Sequence, residues 1–72
     1  MPITKSDLEN WFTHHPPQEE DLTGYTAIRT AGRYFASVIL DNTPACADQT
    51  AAIRKVREAV FTSNAAIACG GK

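Results

Sequence analysis

Two stretches of the chain carry apolar or small residues at alternating spacings of three and four, and this pattern constrains the fold most. The positions in the first stretch are Tyr25, Ile28, Gly32, Phe35 and Ile39. The positions in the second are Ile53, Val56, Val60, Ser63 and Ile67. This spacing aligns side chains in one stripe and is typical of helices that pack lengthwise on each other. We therefore expect an all-α fold in which two long helices, about residues 18–42 and 44–68, form an antiparallel hairpin.

Charged and turn-forming residues bound the two predicted helices. Acidic residues 19–21 suit the positive end of the first helix. After Asn42, we expect Thr43 to cap the second helix and Pro44 to occupy its first position. The pair Gly70-Gly71 is typical of the end of a helix.

A shorter helix is expected ahead of the hairpin, within residues 1–12. Ser6 and Glu9 fit a capping box with Ser6 as the N-cap, and the helix would carry Leu8, Trp11 and Phe12. A frayed terminus is the alternative interpretation of this segment. The whole chain is expected to form one domain, residues 1–72.

The sequence His14-His15-Pro16-Pro17 ends the short helix and predicts a stiff, extended strap, because each proline disfavours helical geometry in the residue before it. Adjacent histidines rarely converge on one metal ion, so a metal site is not expected. No nucleophile or orienting carboxylate accompanies them, which argues against acid–base catalysis. The two remaining interpretations are stacking of an imidazole on a nucleobase and simple packing against a helix end.

The composition predicts a chain that completes its core by self-association. Only 14 of the 72 residues are Leu, Ile, Val or Phe, whereas 11 are alanine. Ala52, Ala59 and Ala66 recur every seven residues and present a small-residue face. Because a chain this short rarely forms a sufficient core alone, we expect a compact homo-oligomer. Gly32 would either admit a close neighbour or be merely tolerated within its helix.

Several protein classes are disfavoured by the sequence. No apolar run is long enough for a membrane span, and the first residues do not resemble a secretion signal. Cys46 and Cys69 lack the spacing of a disulfide scaffold or a zinc site, which favours a reducing cytoplasm. The net charge of -1 disfavours binding to DNA.

Tyr25, Arg29 and Arg33 lie at successive four-residue intervals and therefore form one row on a helix. Neither arginine has a carboxylate three or four residues away, whereas Arg54 has Glu58 four residues further on. Unpaired arginines beside a tyrosine suit a phosphorylated ligand with stackable bases. A solvated helix face, or pairing with a carboxylate of another copy, is the alternative.

Several short motifs occur together in an order that resembles the phage anti-CBASS sponge family, the second anti-CBASS family described. Residues 12–17 are similar to its motif Phe-Thr-Tyr-His-x-Pro, and Tyr25-x-x-Ile28-Arg29 follows. The further motifs are Phe35-Ala36, Ile39, Thr43-Pro44, Gln49, Glu58-Ala59-Val60 and the specific ending Asn64-Ala65-Ala66-Ile67-Ala68. The resemblance covers about residues 11–69.

This resemblance implies a helical homohexamer of interlocked chains that binds cyclic dinucleotides such as 3',3'-cGAMP and does not cleave them. Many members also bind cyclic trinucleotides in separate pockets. The protein would act in the cytoplasm of an infected bacterium, where it would keep the messenger from CBASS effectors. It would need no cofactor, metal, DNA or membrane.

The resemblance also implies residue roles. His14 occupies the position of the base-stacking tyrosine, Arg29 that of the basic residue near the phosphates, and Arg33 a further basic position. His15, Pro16 and Tyr25 complete the expected dinucleotide site. Asn64 is expected at a trinucleotide pocket, together with Lys72.

Two positions depart from the family's pattern. Imidazole at His14 offers less stacking area than tyrosine, although it can carry a proton. Cys69 stands where many members have arginine, which removes a cation from the second pocket and puts trinucleotide binding in doubt. The alternative function is a small oligomeric adaptor that binds a host protein through its alanine face.

Overall fold

The computed structural model describes residues 2–72, so Met1 of the predicted first segment lies outside the described residues. The chain forms α1 (Lys5–Trp11), a 3-10 turn (Glu19–Asp21), α2 (Leu22–Asn42) and α3 (Ala47–Ala68). No strand occurs in the described part, which confirms the all-α fold class and the short helix followed by a long hairpin. None of these helices is both long and apolar enough to cross a membrane.

Cross-hairpin neighbours show that α2 and α3 are antiparallel. A Cβ atom added at Gly24 would lie 3.3 Å from Ile67 Cδ1, and one added at Gly32 would lie 2.5 Å from Val60 Cγ2. At the closed end, Gln49 Nε2 lies 3.4 Å from the carbonyl oxygen of Leu40. The two helices therefore run in opposite directions. A residue of α2 with number n lies opposite a residue of α3 whose number is close to 91 minus n.

Gly32 admits a close neighbour, which was one of the two interpretations left open by the sequence, because α3 approaches α2 closely at this position. The position a Cβ would occupy is filled by a methyl group of Val60. Valine is β-branched and stiff at χ1, so this methyl group cannot easily rotate away. Close packing of α2 on α3 therefore depends on glycine at this position.

The start of α1 differs from the sequence-based prediction. Thr4, not Ser6, is the N-cap: its hydroxyl accepts a hydrogen bond from the Asp7 backbone N–H at 3.1 Å. The Asp7 carboxylate accepts one from the Thr4 backbone N–H at 2.9 Å. Asp7 thus fills the role assigned to Glu9, because the box starts two residues earlier and the shorter acid completes it.

The start of α3 also differs from prediction. Cys46 is the N-cap, and Pro44 lies in the connecting loop rather than at the first helical position. Thr43 instead follows α2 as its C-cap, where its hydroxyl donates to the Ile39 carbonyl oxygen at 2.6 Å. It also accepts a hydrogen bond from Gln49 Nε2 at 3.0 Å. Thr43 is therefore engaged by both helices and does not cap α3.

The other helix ends agree closely with the predictions. The first long helix begins with the 3-10 turn at Glu19 and becomes α-helical at Leu22, and it ends at Asn42. The second ends at Ala68, where Gly70 and Gly71 adopt φ values of 66° and 78°. Their N–H groups donate to the carbonyl oxygens of Ile67 and Ala66, which is the Schellman arrangement that left-handed glycines permit.

The hairpin has no enclosed core. None of the described side chains is fully buried, and the accessible surface is 6002 Å². A compact monomer of this mass would expose about 4,400 Å². The radius of gyration is 15.2 Å, against about 11 Å for a compact chain of this length. The two apolar stripes predicted from the sequence, which we call the seams, do face each other, as the contact of Gly32 with Val60 shows. All seam residues except Phe35 are half-buried, but the outer flanks of the seams lie open.

We predict that Gly32→Ala destabilises the protein although alanine is the better helix former. Overpacking typically costs about 1–3 kcal/mol, against a gain of about 1 kcal/mol in helix propensity. Thermal unfolding followed by circular dichroism should show a lower midpoint for Gly32→Ala. Gly24→Ala is the matched control, because the neighbouring Ile67 methyl group is the flexible end of its side chain.

Removal of the opposing methyl group should rescue the variant, so Gly32→Ala combined with Val60→Ala should unfold at a higher temperature than Val60→Ala alone. A midpoint that rises in the single Gly32→Ala variant would contradict the close approach.

Candidate functional site

The hairpin presents two different faces because two adjacent helices form a single layer. A groove of about 510 Å³ lies on one side, and most of its lining is apolar. Its lining residues are Ile28, Ala31, Gly32, Phe35, Ile39, Ala52, Lys55, Val56, Ala59, Val60 and Ser63. Of the predicted small-residue row, Ala52 and Ala59 lie in this groove, whereas Ala66 lines a different groove near the C-terminal end of α3. We call this side the apolar face.

A second groove of about 240 Å³ lies between α2 and α3 and contains three arginines, Arg29, Arg33 and Arg57. Its other lining residues are Gly32, Ala36, Ile53, Val56, Val60 and Phe61. We call it the arginine groove. No carboxylate is among its lining residues, so its formal charge is positive even though the chain as a whole is slightly negative.

Arg29 and Arg33, predicted from the sequence as ligand contacts, lie together in the arginine groove and are exposed. They are four residues apart on α2, which corresponds to a rise of about 6 Å along the helix. Among residues 2–72, neither guanidinium has an ion-pair partner within 4.0 Å. Guanidinium groups of this kind are available to form charge-assisted hydrogen bonds with the oxygens of a phosphorylated ligand.

Arg57 is a candidate that the sequence analysis did not identify. Its guanidinium carbon lies 5.3 Å from the ring centroid of Phe61, one turn further along α3. This distance is within the range of a cation–π contact. The i, i+4 spacing of arginine and phenylalanine was visible in the sequence, but the proximity of Arg57 to Arg29 and Arg33 depends on the register of the hairpin.

The histidines are not brought into the arginine groove within one chain. His14 is exposed on the segment between α1 and the 3-10 turn, and this segment has no regular secondary structure. His15 is half-buried, and its Nε2 lies 2.6 Å from the carbonyl oxygen of Asn10. His15 thus packs on the end of α1, one of the two interpretations left open for the pair. Pro16 is exposed beside it, and Tyr25 is half-buried on α2.

Asn64 and Lys72, the two residues expected at the second pocket, do not line the same groove. Lys72 lines a groove of about 440 Å³ together with Trp11 and Cys69, but Asn64 is not among the lining residues. Trp11 Nε1 donates to the Lys72 carbonyl oxygen at 3.0 Å, and Asn10 Nδ2 donates to that of Cys69 at 3.3 Å. These bonds attach α1 to the C-terminal residues. Cys69 is a free, half-buried thiol in this groove.

Asn64 carries an unsatisfied polar atom. Its Oδ1 is buried and has no hydrogen-bond partner among the described residues. A buried acceptor without a partner is costly in a folded chain. Asn64 is therefore available to accept a hydrogen bond from a ligand or from another copy of the chain.

We predict that Asn64→Leu raises the free energy of unfolding of the ligand-free protein. If Oδ1 is unsatisfied in solution, its removal should stabilise the protein by about 1 kcal/mol. Chemical denaturation would measure this difference, with Ser37→Leu on the exposed side of α2 as a control for added apolar surface. A loss of stability in Asn64→Leu alone would contradict the unsatisfied state and indicate that another copy supplies a donor.

Comparison with known proteins gives one family match. The family model described as Acb2/Tad1, hairpin domain, matches residues 4–68, which comprise α1, the strap and the whole hairpin. Comparisons with curated proteins and with solved structures give no significant match.

Proposed function

The chain belongs to the Acb2/Tad1 hairpin-domain family of anti-CBASS sponges, and from this premise we propose that it binds and sequesters cyclic dinucleotides without cleaving them. The single observation that supports this most is the pair of exposed guanidinium groups of Arg29 and Arg33 in the arginine groove, for which residues 2–72 supply no ion-pair partner. A cyclic dinucleotide carries two phosphodiester charges and two flat bases. Guanidinium groups bind such charges with directional hydrogen bonds.

The proposal includes an oligomer, because one chain does not assemble the expected site. His14 lies outside the arginine groove of its own chain, so a ligand that uses both would bind where copies meet. The ligand is itself two-fold symmetric or nearly so, and such a ligand suits a pocket made from two equivalent surfaces. We propose the hexamer that the sequence resemblance implied.

The apolar face supports self-association on physical grounds. Its groove is lined mainly by apolar residues, among them Ile28, Phe35 and Ile39, and Phe35 is 57% exposed. Monomeric proteins rarely leave a contiguous apolar surface of this kind open to water. Packing of further copies would cover it and would hold the arginine grooves in fixed positions.

The energetics permit tight binding without chemistry. Charge-assisted hydrogen bonds contribute about 1.5–3 kcal/mol each, and a stacked base contributes about 1–3 kcal/mol. Two copies of each contact are compatible with nanomolar affinity, or about -12 kcal/mol, after the costs of association. Sequestration requires only this affinity, so the proposal assigns no catalytic residue.

In the infected bacterial cytoplasm, sequestration of the messenger would leave CBASS effectors inactive. Cyclic trinucleotide binding is a separate proposal, and Asn64 is its main candidate because its Oδ1 has no hydrogen-bond partner in the described part of the chain. Lys72 lines a groove beside Trp11 that Asn64 does not line.

Arg29→Ala should abolish binding of 3',3'-cGAMP while the oligomer persists, because the side chain is exposed in the groove and supports no core. Isothermal titration calorimetry would measure the affinity, and size-exclusion chromatography would measure the assembly. Arg54→Ala is the matched control, since Arg54 is an exposed arginine that does not line the groove.

Equal affinity in Arg29→Ala and Arg54→Ala would show that the ligand binds elsewhere. Failure of the unaltered protein to bind any cyclic dinucleotide would reject the sponge proposal, and recovery of one host protein instead would favour the adaptor. Breakdown of bound ligand to a linear product would identify an enzyme.

A further inference from the structure

The arginine groove has a third cation whose role the proposed function does not yet include. Arg57 belongs to α3, whereas Arg29 and Arg33 belong to α2. The contact of Gly32 with Val60 places Arg57 close to the level of Arg33 across the hairpin. The groove is therefore bounded by guanidinium groups from both helices.

The charge distribution makes this arrangement unusual for the chain. Three of its seven basic residues line one groove of about 240 Å³ that has no acidic lining residue. Like charges that share a groove disfavour each other. An anion with several charged oxygens would relieve this repulsion, which points to a polyanionic occupant rather than a neutral one.

The contact between Arg57 and Phe61 restricts where the guanidinium points. The guanidinium carbon is 5.3 Å from the ring centroid, and the ring itself is 56% exposed. A planar guanidinium on an aromatic ring keeps its hydrogen-bond donors at its edge, where they remain free for oxygen acceptors. The ring thus holds Arg57 in place without using its donors.

We propose that Arg57, supported by the ring of Phe61, is a third phosphate-binding residue of the arginine groove. This inference rests on the proposed function, since it assigns Arg57 to the same phosphodiester ligand that Arg29 and Arg33 bind. Donors on both helices would hold the phosphodiester across the groove. Arg57 makes the ligand contact, and Phe61 acts as a positioning residue.

Calorimetry with 3',3'-cGAMP tests this assignment. Arg57→Ala is expected to weaken binding at least tenfold, whereas Arg54→Ala, which removes the same charge one turn away on α3, should change it less than twofold. Arg57→Gln, which keeps a long polar side chain, should show the same loss as Arg57→Ala. Because Arg57 is exposed, these variants should retain helicity and assembly.

The supporting role of Phe61 has its own test. Phe61→Leu keeps an apolar side chain but removes the ring, so it should weaken binding severalfold in the unaltered background and have little further effect when Arg57 is already alanine. Equal losses from Phe61→Leu in both backgrounds would overturn the support of Arg57 by the ring.

The outcomes separate this inference from the function on which it rests. If the unaltered protein binds 3',3'-cGAMP and Arg57→Ala binds as tightly as Arg54→Ala, the role of Arg57 is rejected and the sponge function stands. If the unaltered protein binds no cyclic dinucleotide, both are rejected. If Arg57→Ala disrupts the oligomer but leaves the affinity unchanged, the groove binds another copy rather than the ligand.

Discussion

Two helices packed side by side form one layer, and a single layer can bury only the stripe along which they touch. In this chain that stripe depends on Gly32, where the absence of a side chain lets Val60 approach α2 closely. Every described side chain nevertheless keeps some contact with solvent, and the molecule measures 44 × 30 × 18 Å. The open flanks of the hairpin follow from this architecture, and they are the surfaces available for partners.

The two flanks differ in chemistry because the residues beside the seam differ. On the apolar face, alanines and Phe35 border the seam. On the opposite side, Arg29, Arg33 and Arg57 border it. One side of the hairpin is thus suited to self-association, and the other side is suited to binding anions. A small chain can combine both surfaces only because it leaves its core incomplete.

This division relates the fold to the proposed function. Binding a symmetric polyanion requires cations at fixed positions on more than one side, and helices fix side chains more firmly than loops do. Self-association through the apolar face would repeat each arginine groove by symmetry and would bring His14 of one copy near the cations of another. No bond in the ligand has to break for such a device to act, since retention of the messenger is sufficient.

The sequence was a reliable guide where the signal is periodic. The alternating spacing of Ile53, Val56 and Val60 predicted α3, and Gly70 with Gly71 predicted its end, because these features act within one helix. The helix starts were less predictable, since several polar residues compete for each cap: Thr4 replaced Ser6, and Cys46 replaced Thr43.

For the site, the row of Arg29 and Arg33 could be predicted because both residues lie on α2. Arg57 could not be assigned to the same groove, because its position depends on which residues of α3 face α2. In the single chain, His14 does not line the groove that contains these arginines. In the proposed assembly that juxtaposition would depend on neighbouring copies, which no pattern within one sequence specifies.

Native mass spectrometry of the protein with a mixed panel of cyclic di- and trinucleotides tests the central claim most directly, because it reports assembly, ligand identity and stoichiometry together. We expect an oligomer of the chain, with six copies in the proposed assembly. Its mass should increase by that of intact cyclic dinucleotides. A monomer that retains no cyclic nucleotide would contradict the central claim.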